Sequence, residues 1–136
     1  MDIKKRVRGT GVALVTPFKN NGIDWEDLER IIEHVIAGGV EYIVSLGTTG
    51  EAVTLSEEEQ RQVLDFTIKI NRGRLPLVAG VFGGNDTAAL VRKIKGFNFE
   101  GIDALLSASP SYSRPGQEGI FRHYMEVAEV SPLPII

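Results

Sequence analysis

Tyr42-Ile43-Val44-Ser45-Leu46-Gly47-Thr48-Thr49-Gly50-Glu51 is a short apolar run that stops at a glycine and opens into a polar loop. Its apolar half does not alternate with polar residues, which suits a strand covered on both faces, as in a parallel sheet. Five residues beyond Glu51, Ser56-Glu57-Glu58-Glu59 has the form of a capping box. In that device the serine side chain and the third glutamate each satisfy an orphan amide at a helix start. Val63, Leu64, Thr67 and Ile68 then recur at helical spacing until Gly73. Strand, loop and capped helix form one βα unit.

The same unit repeats on both sides. Gly11-Val12-Ala13-Leu14-Val15 precedes it, and Leu77-Val78-Ala79-Gly80-Val81-Phe82 and Ile102 to Ser107 follow it. Asp24 can cap a helix whose stripe is Leu28, Ile31, Ile32, Val35 and Ile36, ended by Gly38-Gly39. Asn85 or Asp86 can open a third helix with Leu90, Val91 and Ile94 inward, and Phe121, Tyr124, Met125 and Ala128 mark a fourth. Leu133-Pro134-Ile135-Ile136 repeats the pattern of Leu75-Pro76-Leu77-Val78 and begins a fifth strand. The order β-α-β-α-β-α-β-α-β implies a parallel sheet with right-handed crossovers, in an open sheet or in a barrel. A last strand that stops inside an apolar run suggests a truncated domain, because its edge and its apolar surface are unmet.

Composition narrows the function. With 43% hydrophobic and 24% charged residues, the 136-residue chain can build a core. A net charge of −3 without a basic cluster argues against a nucleic-acid partner. The absence of cysteine removes disulfides, thiolate metal sites and thiol nucleophiles. No apolar run approaches a membrane span and no signal peptide is visible, so a cytoplasmic protein is expected.

In parallel α/β folds, ligands bind beyond the carboxyl ends of the strands. The sharpest loop there is Gly47-Thr48-Thr49-Gly50-Glu51. Glycines allow close backbone approach, and two hydroxyls with loop amides can hold a carboxylate or phosphate. A tight turn with a capping threonine is the alternative. Tyr112, in a loop with Arg114 after the fourth strand, can relay protons, or can be a surface aromatic. His34 and His123 fall within helices, where surface or packing roles are expected. Glu57, Glu58 and Glu59 suit a helix start rather than a metal site.

Val15-Thr16-Pro17-Phe18, the Gly47–Glu51 motif and Tyr112-Ser113-Arg114-Pro115-Gly116-Gln117-Glu118-Gly119 resemble the dihydrodipicolinate synthases along essentially the whole chain. The resemblance implies the N-terminal half of a (β/α)8 TIM barrel. Residues 1–136 would form a single half-barrel of about four βα units plus the start of a fifth strand. It also implies a class I aldolase, in which a lysine forms a Schiff base with pyruvate and the enamine attacks aspartate semialdehyde in lysine biosynthesis. Thr48 would then serve a catalytic proton relay. Thr49 would bind the pyruvate carboxylate, and Tyr112 would match a catalytic tyrosine that crosses a dimer interface. No metal or organic cofactor is implied. The family's Schiff-base lysine lies on a later, sixth strand. The lysines here are Lys4, Lys5, Lys19, Lys69, Lys93 and Lys95, on the amino-terminal segment, a loop or helices, where solvent should keep them protonated. The chain alone is therefore expected to be inactive and to associate with itself. The alternatives are a non-catalytic self-assembling half-barrel, or the N-terminal part of a related pyruvate-dependent aldolase such as N-acetylneuraminate lyase.

Overall fold

The computed structural model describes residues 7–136, so Lys4 and Lys5 lie outside the described residues. Strand β1 is Gly11–Ala13, followed by two short strands, β2 (Phe18–Lys19) and β3 (Gly22–Ile23). Helix α1 spans Trp25–Ala37, strand β4 Tyr42–Ser45 and helix α2 Glu57–Asn71. Strand β5 (Leu77–Ala79), helix α3 (Thr87–Gly96), strand β6 (Ala104–Leu105) and helix α4 (Gln117–Val130) complete the order.

The helix starts are set by local chemistry. Asp24 caps α1 by accepting from the Asp27 amide at 3.1 Å, and Asp86 caps α3 by accepting from the Ala89 amide at 2.9 Å. At α2 the box closes in both directions: Ser56 Oγ accepts from the Glu59 amide at 3.2 Å, and Glu59 Oε2 accepts from the Ser56 amide at 2.8 Å. Each such cap stabilises its helix by about 1 kcal/mol.

β1, β4, β5 and β6 form one sheet in that order, and every pairing is parallel. Gly11 stands opposite Tyr42, Ile43 opposite Leu77, and Val78 opposite Ala104. Ile135 bridges Leu105 in parallel, and the Ile136 amide donates to the Leu105 carbonyl at 2.8 Å. The expected fifth run therefore lies beside β6.

The two sheet faces differ. Ile43, Leu77, Ala79 and Leu105 pack into one core with Leu28 and Ile32 of α1, Val63 and Leu64 of α2, Ile94 of α3 and Val127 of α4. Burying each of the larger side chains contributes about 1.5–3 kcal/mol. By the period of two, Ala13, Val44, Val78 and Ala104 point the other way, where no described helix lies. Helices confined to one face, with strands in strict sequence order, match part of a barrel. A doubly wound sheet would reverse its order and carry helices on both faces.

Two features depart from the sequence reading. β2 and β3 form an antiparallel hairpin that the alternating pattern did not announce, with Asn20 and Asn21 at φ 52° and 62°. Positive φ at both central residues is what a two-residue hairpin turn of the primed type requires. In α4 the inward side is not the one marked by Phe121 and Met125, which are 60% and 56% exposed. His123 and Val127 are the buried residues. A hydrogen bond of 2.8 Å between His123 Nδ1 and Thr87 Oγ1 of α3 provides for part of the polar ring.

Candidate functional site

The loop after β4 is built from the backbone outward. Leu46 is buried at φ 59°, Thr48–Gly50 forms one 3-10 turn, and Glu51 takes φ 54° before a second turn at Ala52–Thr54. Side chains hold this path in place. Thr16 Oγ1, buried beyond the end of β1, donates to the Gly50 carbonyl at 2.7 Å. Thr54 Oγ1 donates to the Glu51 carbonyl at 2.9 Å. Gln60 Nε2 of α2 donates to the carbonyls of Ala52 and Leu55 at 2.9 and 3.3 Å. Backbone packing adds a further constraint, because a Cβ on Gly80 would lie 2.5 Å from the Gly47 nitrogen. The result presents Thr48 and Thr49 to solvent at the carboxyl end of the parallel strands.

Beside this loop runs a groove of about 420 Å³ formed with the segments that follow β5 and β6. Gly47, Thr48, Gln60, Asn85, Lys93 and Ser111 all contribute to its lining. Thr49, next to Thr48 in the turn, does not line it.

Lys93 corrects one sequence expectation. The sequence places it on a solvated helix surface, whereas in the structure it is half-buried, and α3 aims it at the carbonyl just past the end of β5. Its Nζ donates to Gln60 Oε1 at 3.1 Å and to the Val81 carbonyl at 3.3 Å, and it lies 5.8 Å from the centre of the Phe82 ring. Burial pushes its pKa down, opposed in part by the charge of Glu57. The signal was present in the sequence. Lys93 follows Leu90 by three positions and precedes Ile94, so it borders the apolar stripe. Thr16 stands in the Val15-Thr16-Pro17-Phe18 motif, but its bracing role depends on Gly50, 34 positions away.

The segment after β6 is different. Tyr112 is 99% exposed with φ 64°, and Arg114 has φ 48°. Asn85 Oδ1 accepts from the Ser111 amide at 2.8 Å, and Ser111 reaches the groove. Tyr112 does not reach it, so Thr48 and Tyr112 are not brought together within this chain. Among the described residues, no group of three or more His, Cys, Asp or Glu side chains could hold a metal ion. None of the described helices is long and apolar enough to cross a membrane.

Residues 6–136 match the dihydrodipicolinate synthetase family. The chain belongs to this family. The 4-hydroxy-tetrahydrodipicolinate synthase of Flavobacterium psychrophilum is 52% identical over 129 residues, which is 94% of this chain and 44% of that protein. The structure of a chloride-inhibited dihydrodipicolinate synthase from Acinetobacter baumannii complexed with pyruvate superposes with a TM-score of 0.88 at 42% identity, covering 95% of this chain and 44% of that one. An N-acetylneuraminate lyase from Mycoplasma synoviae, 23% identical with a TM-score of 0.85, shares the fold. The chain thus spans less than half the length of its dihydrodipicolinate synthase relatives. Its sheet is the amino-terminal half of their (β/α)8 TIM barrel.

Proposed function

We propose that residues 1–136 form a single half-barrel unit carrying the pyruvate-handling strand ends of a class I aldolase of the dihydrodipicolinate synthase type. The family reaction condenses pyruvate with aspartate semialdehyde through a Schiff base. In this reading Thr49 binds the pyruvate carboxylate and Thr48 serves the proton relay. Tyr112 completes that relay from a neighbouring copy. The observation that carries the proposal is the braced Gly47–Glu51 loop, which offers both threonine hydroxyls at the carboxyl end of a parallel sheet. A relative of the same fold was crystallised with pyruvate, which fits that ligand class. The full exposure of Tyr112 fits a residue whose partner lies in another molecule.

The same reading makes a polypeptide of these residues inactive alone. The chemistry needs an amine that is neutral at working pH beside the proton relay. Lys19, Lys69 and Lys95 are exposed, and Lys93 keeps its donors on Gln60 and Val81. Borohydride reduction with pyruvate, followed by mass spectrometry, should give no stoichiometric adduct on any lysine. An adduct on one specific lysine would overturn the proposal. Pyruvate should nonetheless perturb the amides of Thr48 to Gly50 in NMR spectra, and Thr49→Val should abolish that response.

The protein is proposed to be cytoplasmic and to associate with itself, through its strand edges and the accessible part of the sheet face at Ala13 and Val44; Val78 and Ala104 are already buried within the chain. Sedimentation velocity at micromolar concentration should show species larger than a monomer. A compact monomer alone would remove that part of the reading.

A further inference from the structure

The β2–β3 hairpin stands apart from the rest of the fold. Its strands are two residues each and pair with one another, outside the main sheet. Phe18, Lys19, Asn20 and Asn21 are all exposed. A two-stranded ribbon of this length is marginally stable in water, so it opens locally while the core stays closed.

At Asn21 such opening has a chemical consequence. The Asn21 side-chain amide has no hydrogen-bond partner among the described residues. The residue after it, Gly22, has no Cβ to crowd its nitrogen. The other asparagines lack one of these conditions. Asn71 is buried, and both ends of its amide are bonded to the Leu75 backbone. Asn85 and Asn98 hold the Ser111 and Glu100 amides through Oδ1. Asn20 is exposed, but the residue after it carries a side chain.

We propose that Asn21 is a self-modification site, deamidated by its own backbone with water as the co-reactant. When the turn opens, the Gly22 nitrogen attacks Asn21 Cγ. The new Cγ–N bond forms as the Cγ–Nδ2 bond breaks, and Nδ2 leaves as ammonia with the proton that Gly22 gives up. Water then opens the five-membered imide at either carbonyl and restores the Gly22 N–H. One opening gives aspartate, the other isoaspartate.

Both products place a negative charge on the surface that Asn21 shares with Lys19, Glu51 and Thr54. Isoaspartate also adds a carbon to the backbone of a turn whose register, Lys19 opposite Gly22, admits two residues. That misfit reaches α1. The hairpin closes where the Asp24 amide donates to the Pro17 carbonyl at 2.8 Å, and Asp24 is the cap of the helix. The site is independent of the aldolase reading, since it uses no residue assigned there.

The test is to incubate the folded 136-residue chain for several days at mildly alkaline pH, beside a synthetic peptide spanning Pro17 to Trp25, and to follow both by mass spectrometry. The Asn21 fragment should gain the mass of one deamidation and, in heavy-oxygen water, one labelled oxygen. Asn20, Asn71, Asn85 and Asn98 should lag far behind it. Folding should slow the reaction by less than about a hundredfold relative to the peptide, because only the hairpin has to open. Gly22 has negative φ, and a Cβ there would meet nothing nearer than the Lys19 carbonyl at 3.9 Å, so Gly22→Val is accommodated. That variant should slow conversion about tenfold or more by crowding the attacking nitrogen. In NMR spectra the amides of Asp24 to Asp27 should shift in the isoaspartyl form and stay near the parent in Asn21→Asp, which adds the charge alone. Slowing by about a thousandfold or more, the signature of reaction through the globally unfolded chain, would overturn the proposal. So would equal conversion at another asparagine, an undiminished rate in Gly22→Val, or unmoved α1 amides in the isoaspartyl form. If Gly22→Val does not fold, the rate of the parent chain against the peptide decides.

Discussion

The loop that leaves β4 and the loop that leaves β6 occupy equivalent places in the repeating unit, yet they are held in opposite ways. The first places its backbone in positive φ at Leu46 and Glu51 and braces it with Thr16, Thr54 and Gln60. The second places Tyr112 and Arg114 in positive φ and leaves Tyr112 99% exposed. Non-glycine residues in that region cost about 1–3 kcal/mol each and persist where their surroundings over-determine them. Around Thr48 those surroundings are three side chains, from beyond β1, the loop itself and α2; around Tyr112 they are the Asn85 contact to the Ser111 amide and the Ser113 amide donating to the Ser111 carbonyl.

The largest test of the comparison is Gly80→Val. Its side chain would collide with the Gly47 backbone, which cannot rotate aside. It should destabilise the fold by about 3 kcal/mol and disorder the Thr48 turn, measured by urea denaturation and by loss of the Gly47 to Glu51 amide dispersion. Thr16→Val comes next. It is nearly isosteric but leaves the Gly50 carbonyl without its buried donor, a cost of roughly 1–3 kcal/mol. Denaturation should show that loss, and pyruvate responses of the turn should weaken with it.

A smaller effect is expected where the braced loop hands over to α2. Ser56→Ala should cost about 1 kcal/mol. It should also change the acid limb of stability. The Glu59 carboxyl is held below its ordinary range by the Ser56 amide and hydroxyl. A carboxyl depressed by folding contributes stability that is present above its unfolded pKa and lost as pH falls through the folded one. Removing the hydroxyl should flatten that dependence, read from melting temperatures between neutral and acidic pH. The smallest effect belongs to the other loop. Tyr112→Ala should alter stability by less than about 0.5 kcal/mol, because the residue is 99% exposed. A larger loss would show that Tyr112 is anchored and would dissolve the contrast.

Much of this was legible because it rests on local chemistry. Asp24, Ser56 and Asp86 cap helices where their side chains can reach the second or third amide, a property of three or four consecutive residues. The strands were legible from unalternated apolar runs, and the exposed threonines from the position of their loop after a run. What escaped depends on distant packing. The orientation of α4 is decided by α3, where Thr87 gives His123 a partner that no periodicity reveals. Lys93 is turned inward by Gln60 and Val81, 33 and 12 positions away. The hairpin at Asn20-Asn21-Gly22 is the exception, since its turn signal was local and was overshadowed by the repeating βα pattern.

The strand register also bears on time. Gly11 meets Tyr42, Ile43 meets Leu77, and Val78 meets Ala104, so no rung of the main sheet joins near neighbours. Each rung closes a loop of roughly 30 residues, an entropic cost incurred before the sheet returns any stabilisation. α1 and α2 carry their own caps and can flicker into being within a microsecond or so. The sheet must wait for collapse to bring capped helices and bare strands together, which places folding among the slower topologies, milliseconds to seconds. During that interval β4 and β5, which carry Val44 and Val78, are unpaired on both edges. A ribosome emitting about 5–20 residues per second takes roughly 7–27 s over these 136 residues, so synthesis runs as slowly as sheet closure or more slowly.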